Sequence, residues 1–429
     1  MLVKKILSNS AALLFLEVSS KTMPLLTLPV IARALGPASL GRVGFAISLA
    51  GFFGLLVSSG FPTYGVREVA QRPHDGQALI AQLLGARLCF AVLAYVLLVA
   101  FTFTLAPTDS FTRPLILCAG LSLFVASVDL QWLFSGLSRM WTVALAGIAS
   151  QVVNAGLTIW LVGSPGHALR LILIIVLSPA LAGLVFLWRA RQQFVLPQPA
   201  LQPRRWLSIL PGCVTLSLAG LMSLIYDQLD LVLLRYFRAD DEAGVYVAAC
   251  RVMNLALSFV FFIGQVYFPL IYQAAKENDE QEERYLQLMW NTTMLIALPL
   301  SIAGMILARP LTLLILGPQF AAAVTLVRWL MPNVVATALA IYFGGRLIQH
   351  RRDRQYLISV GAGAASNIVL NLLLMPRLGA LAAALTTFIS QLLVAGLACY
   401  YSRGLARHRP LTVKVASYAA MRIRAFSRS

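Results

Sequence analysis

Charge is scarce in this chain. Asp, Glu, Lys and Arg make up 12% of its 429 residues, and only 16 of those residues are acidic. Soluble domains carry about 25% charged residues, so an ordinary soluble globule is excluded. The five cysteines (Cys89, Cys118, Cys213, Cys250, Cys399) all fall in apolar stretches and form no C-x-x-C pair. They read as small core residues, not as a disulfide framework or a metal site. The four histidines (His74, His167, His350, His408) lie in or beside expected loops, none of them four residues from another. There is no G-x-x-x-x-G-K loop, no H-E-x-x-H and no Ser/His/Asp set on an outer loop. No enzyme activity, metal or cofactor is expected. Asn291-Thr292-Thr293 matches a glycosylation sequon, but it stands at the start of an apolar span and reads as chance.

What is abundant is hydrocarbon: 59% of the residues are hydrophobic, and the mean hydropathy is +0.80. The apolar residues come in blocks of about 20, each long enough to cross a bilayer. Twelve helical spans are expected, at 9–32, 44–65, 79–105, 114–137, 142–162, 168–188, 207–236, 243–272, 286–308, 321–348, 356–375 and 379–401. The fold class is therefore an all-α polytopic membrane protein. Lys4 and Lys5 precede the short apolar run 11–16, but Glu17 ends it and no cleavage site follows, so this reads as an uncleaved first span. The stretch 310–318 reads as a short interfacial segment or a loop. The acidic cluster 276–284 reads as a solvated connector.

The net charge of +18 would suggest a nucleic-acid partner in a soluble protein. Here it reports loops retained on the cytoplasmic side. With the N-terminus cytoplasmic, that side receives 21 of the 34 Lys and Arg, the other side receives 8, and the rest lie within spans. Both termini are then cytoplasmic. The proline-rich interruption Arg189–Arg205 separates an N-terminal lobe (1–200) from a C-terminal lobe (201–402), followed by a basic cytoplasmic tail (403–429) suited to anionic headgroups. Each half carries a related stretch after its first expected outer turn: Arg33-Ala34 followed by Gly41, and Arg238-Ala239 followed by Gly244. Two six-helix lobes related by a parallel pseudo-twofold would enclose a central cavity.

Charges inside spans are costly and mark functional or paired positions. The basic candidates are Lys21, Arg87, Arg251 and Arg328, as substrate-binding cavity residues, with Arg346 near a span end. The acidic candidates are Glu17, Asp129, Asp227 and Asp230, as ion-coupling sites or members of structural pairs. Glu17 and Lys21 are spaced i, i+4 and share a helix face. Matching depths allow the pairs Asp230–Arg251 and Glu17–Arg87, structural or functional. If Asp230 pairs with Arg251, Asp227 is left without an obvious partner and is the stronger coupling candidate. Lys21 lies near mid-membrane, beside Pro24 and Pro29, which can bend its helix and release carbonyls. Small-residue stripes (Gly44, Ser48, Gly51, Ser58; Gly361, Ala365) read as packing seams.

Taken together, Asn9, the run 32–37 (ARALGP) with Gly41, Gly60-Phe61, Arg67-Glu68, Tyr226-Asp227 with Asp230, Gly244-Val245-Tyr246 with Arg251, Gly317-Pro318-Gln319-Phe320, Asn367 with Asn371, and Pro376 with Gly379 make the chain resemble a known family. It is similar to the Wzx-type oligosaccharide flippases of O-antigen and exopolysaccharide synthesis, in the superfamily of multidrug and toxin extruders and the lipid II flippase. The resemblance covers nearly the whole chain. It implies a V-shaped fold of two six-helix lobes in the bacterial inner membrane. The implied activity is translocation of a polyprenyl-pyrophosphate-linked oligosaccharide to the periplasmic leaflet by alternating access. Membrane lipids and the polysaccharide polymerase machinery are the implied partners. Alternatives are a cation-coupled multidrug antiporter of the same fold, a membrane polysaccharide polymerase, or a membrane scaffold. The antiporter would want an acidic, aromatic cavity, and the polymerase a large outer loop that the chain lacks.

Overall fold

The computed structural model describes residues 2–58, 60–71, 76–106, 109–192, 222, 228–277 and 279–403. For residues 2–14, 17, 18, 21, 71, 76, 78, 269, 273, 276, 277 and 279 it describes the backbone alone. Every regular element among the described residues is helical. Ten helical stretches are long and apolar enough to cross a membrane, and large side chains such as Val96, Leu295, Leu373 and Leu314 point outward from the bundle. That inversion of the soluble pattern suits a hydrocarbon surround, which helices can face because most of their backbone groups bond within the helix. The chain is a multi-pass membrane protein.

Helix α1 (Leu2–Ser58) takes in the first two expected spans. Gly36 breaks it with φ 71 and ψ 174, a backbone conformation that favours glycine, and Pro37 starts the second arm. The two arms, 2–35 and 37–58, therefore run in opposite senses. A short amphipathic helix not anticipated from the sequence, α2 (Phe61–Gln71), follows. Helix α3 (Gly76–Thr104) crosses back. The fourth expected span, 114–137, is not one rod but three pieces: α4 (Thr112–Gly120), α5 (Ser122–Ser127) and α6 (Gln131–Gly136). Helices α7 (Met140–Leu161) and α8 (Ala168–Arg191) complete the N-terminal half.

Most of the expected seventh span, 207–236, lies outside the described residues. Its last part is α9, residues 228–237. Then come α10 (Asp240–Glu277) and α11 (Asp279–Ile306). The acidic cluster 276–284 joins these two helices and is helical where it is described, not a loop; Glu280, Gln281 and Arg284 are exposed, while Glu282 accepts the Gln349 amide at 2.5 Å and lies 3.6 Å from His350. The interfacial segment is a helix, α12 (Ala308–Ile315), and α13 (Ala323–Leu330) with α14 (Pro332–Gln349) fills the span expected at 321–348. Helices α15 (Asp353–Leu378) and α16 (Ala380–Ser402) end the described chain.

Helix α1 packs mainly on α7, α3, α4 and α10, whereas α14, α15 and α16 pack on one another. The halves meet where the second arm of α1 crosses α10. There Gly44 packs on Val247, as expected of a seam, but Gly361 has nothing within 4 Å of where a Cβ would stand and is no seam.

Candidate functional site

Polar residues in this bundle collect in four places. The first is the end of the bundle where Gly36 lies. Arg42 donates to Asp240 across the halves at 2.8 Å and pairs with Asp109 at 3.2 Å, while Arg235 holds the other Asp240 oxygen at 2.5 Å. Arg33 donates to the Leu314 carbonyl at 2.6 Å, Gln319 to the Ala32 carbonyl at 2.7 Å, and Tyr236 to the Leu105 carbonyl at 2.9 Å. Burial pushes the Asp109 carboxyl up, but hydrogen bonds from Thr112 and the nearby Arg42 outweigh it and hold it below its ordinary value. Four of these ties, Arg42–Asp240, Arg33–Leu314, Gln319–Ala32 and Tyr236–Leu105, cross from one half to the other, so the bundle is shut at this end.

The second is a cavity of about 530 Å³ between the halves, lined by α1, α9 and α10. Ser20, Ser48, Gln228, Asn254 and Arg251 supply its polar surface. The expected Arg251–Asp230 pair does not form. Among the described residues Arg251 has no carboxylate partner, since depth alone does not fix the direction in which a helix points its side chains. Arg251 therefore offers a positive charge to the cavity.

The third is a fully buried cluster behind Tyr246, itself a lining residue of that cavity. Asp230 accepts the Tyr246 hydroxyl at 3.0 Å, the Asn371 amide at 2.6 Å and the Thr387 hydroxyl at 2.6 Å. Asn371 also bonds Asn367 at 3.1 Å and accepts from Thr386 at 2.8 Å. Among the described residues every hydrogen-bond partner of Asp230 is neutral. A carboxylate this deep costs a great deal to ionise without a positive partner.

The fourth is a cavity of about 600 Å³ inside the N-terminal half, lined by α1 and by α4 to α8, with Asp129, Gln131 and Gln151 among its polar residues. It shares Ser20 and Ile47 with the central cavity. Beside it Arg87, 4% exposed, donates to the carbonyls of Ala126 and, at 2.8 Å, of Asp129. These carbonyls lie where the fourth span is broken, so Arg87 supplies donors that a continuous helix would have supplied itself. It lines neither of these two cavities, where it was expected, and staples this break instead. Glu17, its expected partner, has its side chain outside the described residues.

Of the remaining candidates, Arg328 is exposed on α13 and lines neither cavity, again unlike its expected role. Asp227 lies outside the described residues. The side chain of Lys21 does too, although its helix position adjoins Ser20 and precedes Pro24 and Leu25 by three and four residues, all of which line the central cavity. Sequence reasoning did not single out Tyr246, Asn371 and Thr387 as a site. Asn367 and Asn371, four residues apart in an apolar helix, were the signal available for it.

Residues 6–275 match the family model described as Polysaccharide biosynthesis protein. No curated protein sequence matches the chain. Solved structures that resemble it share its fold at low identity. One is the lipid II flippase MurJ in an inward closed conformation (TM-score 0.72, 13% identity, covering 92% of this chain and 87% of that one). Another is a multidrug resistance MATE family transporter of the MOP superfamily in an inward-facing conformation (TM-score 0.66, 16% identity, 90% and 94%). A third is a MOP superfamily transporter from Pyrococcus furiosus whose binding pocket is described as having reverse polarity (TM-score 0.59, 15% identity, 94% and 95%).

Proposed function

The chain belongs to the Polysaccharide biosynthesis protein family and has the fold of MOP-superfamily transporters, and from that premise we propose that it is a flippase for a polyprenyl-pyrophosphate-linked oligosaccharide. The observation that carries this reading is Arg251, a cation with no carboxylate partner among the described residues, in a cavity between two halves that are shut at one end. A sugar head joined to a pyrophosphate cannot cross hydrocarbon unaided, because stripping water from an unpaired charge costs far more than thermal energy. A polar cavity with a fixed cation replaces that water, while the lipid tail stays in the bilayer. Lys21, by its place in the helix, is a second candidate cation.

The Lys and Arg bias supports placing both termini in the cytoplasm and the Gly36 end outward. The cavity then receives substrate from the inner leaflet and releases it when the Arg42–Asp240 ties part. A membrane potential negative inside favours outward movement of an anion by about 2.3 kcal/mol per charge per 100 mV. Asp230 is the candidate for ion coupling: a proton or sodium ion bound there would neutralise a carboxylate whose hydrogen-bond partners among the described residues are all neutral.

Cells lacking the gene and complemented with the wild-type chain should export surface polysaccharide. Arg251→Ala, inserted at normal levels, should not restore export. A multidrug antiporter would instead raise resistance to organic cations, which a positively charged cavity repels. Normal polysaccharide with Arg251→Ala would remove Arg251 from the substrate site, and no export by the wild-type chain, or drug resistance alone, would refute the flippase.

A further inference from the structure

The cavity inside the N-terminal half is a neighbouring chamber of the central one, since Ser20 and Ile47 line both. We propose that this chamber is the sugar subsite, holding the neutral, hydroxyl-bearing head of the substrate while Arg251 holds the pyrophosphate; the inference rests on the flippase reading above.

One of its polar groups lacks a donor. Gln151 lines the chamber, and its Oε1 is buried with no hydrogen-bond partner among the described residues. A buried acceptor without a donor is costly, and native proteins seldom keep one without a use. A ligand hydroxyl would satisfy it. Asp129, half-buried in the same lining, takes the Gln131 backbone N–H on Oδ1 at 2.9 Å, and its carboxylate has capacity to accept a further hydroxyl.

Charge decides the class of ligand. The Arg87 guanidinium lies against the Asp129 backbone carbonyl, so the carboxylate and guanidinium together are close to neutral. A cation would gain little here, and an anion finds its counter-charge at Arg251 in the next chamber. A neutral polyol suits what remains. The volume of about 600 Å³ falls in the roughly 300–1,000 Å³ range of small-molecule sites. A site built to bond hydroxyls also discriminates sharply against heads that lack them, which makes these residues specificity determinants.

The test is binding to the purified full-length protein of undecaprenyl pyrophosphate, bare or bearing neutral mono- and oligosaccharides, followed by native mass spectrometry. The wild type should bind at least one glycosylated form more tightly than the bare lipid. Gln151→Leu should reduce that sugar increment about fivefold, the value of one neutral hydrogen bond, and Asp129→Asn about tenfold or more, because its acceptor is charged; both should leave bare-lipid affinity unchanged. Arg251→Gln should weaken all forms alike. Because Gln151 Oε1 has no partner among the described residues, Gln151→Leu should melt no lower than the wild type. If no sugar raises wild-type affinity, if both variants weaken the bare lipid equally, or if Gln151→Leu lowers the melting temperature, the subsite is overturned. Failure of the wild type to bind even the bare lipid would overturn the flippase reading and the subsite together.

Discussion

Gly41 and Gly244 close on each other where the second arm of α1 crosses α10. A Cβ on Gly41 would collide with the Asp240 carbonyl, and one on Gly244 with the Pro37 carbonyl. The contact is reciprocal, since each glycine meets the backbone four residues before the other. It is also where the two related sequence stretches, one from each half, come together.

Any larger residue at Gly41 must therefore push the helices apart at the shut end. Gly41→Leu should cost about 1–3 kcal/mol of stability, the usual penalty of overpacking. It should also expose a cysteine placed at the fully buried Ala243 to a membrane-impermeant thiol reagent. A cysteine that stays protected in the Gly41→Leu background would show that the closure does not depend on this crossing.

The same end is held by charge. Arg42→Asp should loosen it and impair export, because the pair bonds directly across the halves, and adding Asp240→Arg should not restore either, since the new carboxylate would face Asp109 and the new guanidinium Arg235. Acid should act there as well. The Asp109 carboxyl is held below its ordinary value of 3.8, so its contribution is present above that pH and is lost as pH falls through the lower folded value. Melting temperature should drop on acidification below about pH 4, and Asp109→Asn should flatten part of the drop. The side chain is 41% exposed, so the change should be small. An unchanged acid profile in Asp109→Asn would remove Asp109 from the closure.

Much of the fold was legible because bilayer thickness imposes a length on each span. The helices at 140–161, 168–191, 353–378 and 380–402 fall within a few residues of their expected bounds. The break at 128–130 inside the fourth span was not legible, because those residues carry no proline or glycine to announce it. Its cause is tertiary: Arg87, from α3, bonds the carbonyls of Ala126 and Asp129 beside it. Costly charges inside spans were legible, but not their partners. Asp230 and Arg251 do not join, since the groups that satisfy Asp230 are a tyrosine, an asparagine and a threonine from three other helices.

That correction changes what a substitution at Asp230 should do. Asp230→Asn keeps the shape and removes a buried charge with no cationic hydrogen-bond partner among the described residues, so the protein should fold at normal levels while ion-driven transport is lost. Asn371→Leu keeps the charge and removes one of its donors, and should destabilise the fold by about 1–3 kcal/mol or more. Export and melting temperature, measured on both variants, separate the roles. Normal export with Asp230→Asn would leave the cluster a purely structural one.

Arg87 should behave in the opposite way. Its guanidinium reaches two carbonyls at once across the break before α6, a fork that the single ammonium of lysine cannot reproduce. Hydrogen bonds from a charged donor are worth about 1.5–3 kcal/mol each. Arg87→Lys should therefore lower thermal stability and the amount of protein in the membrane although the charge is kept. Whatever folded protein remains should bind undecaprenyl pyrophosphate with wild-type affinity. Arg251→Lys should show the reverse, with normal abundance and retention of part of the binding, because a cation facing a cavity needs charge more than geometry. Should Arg87→Lys fold normally and lose affinity for the lipid, Arg87 would belong to the substrate site after all, and the break before α6 would need another staple.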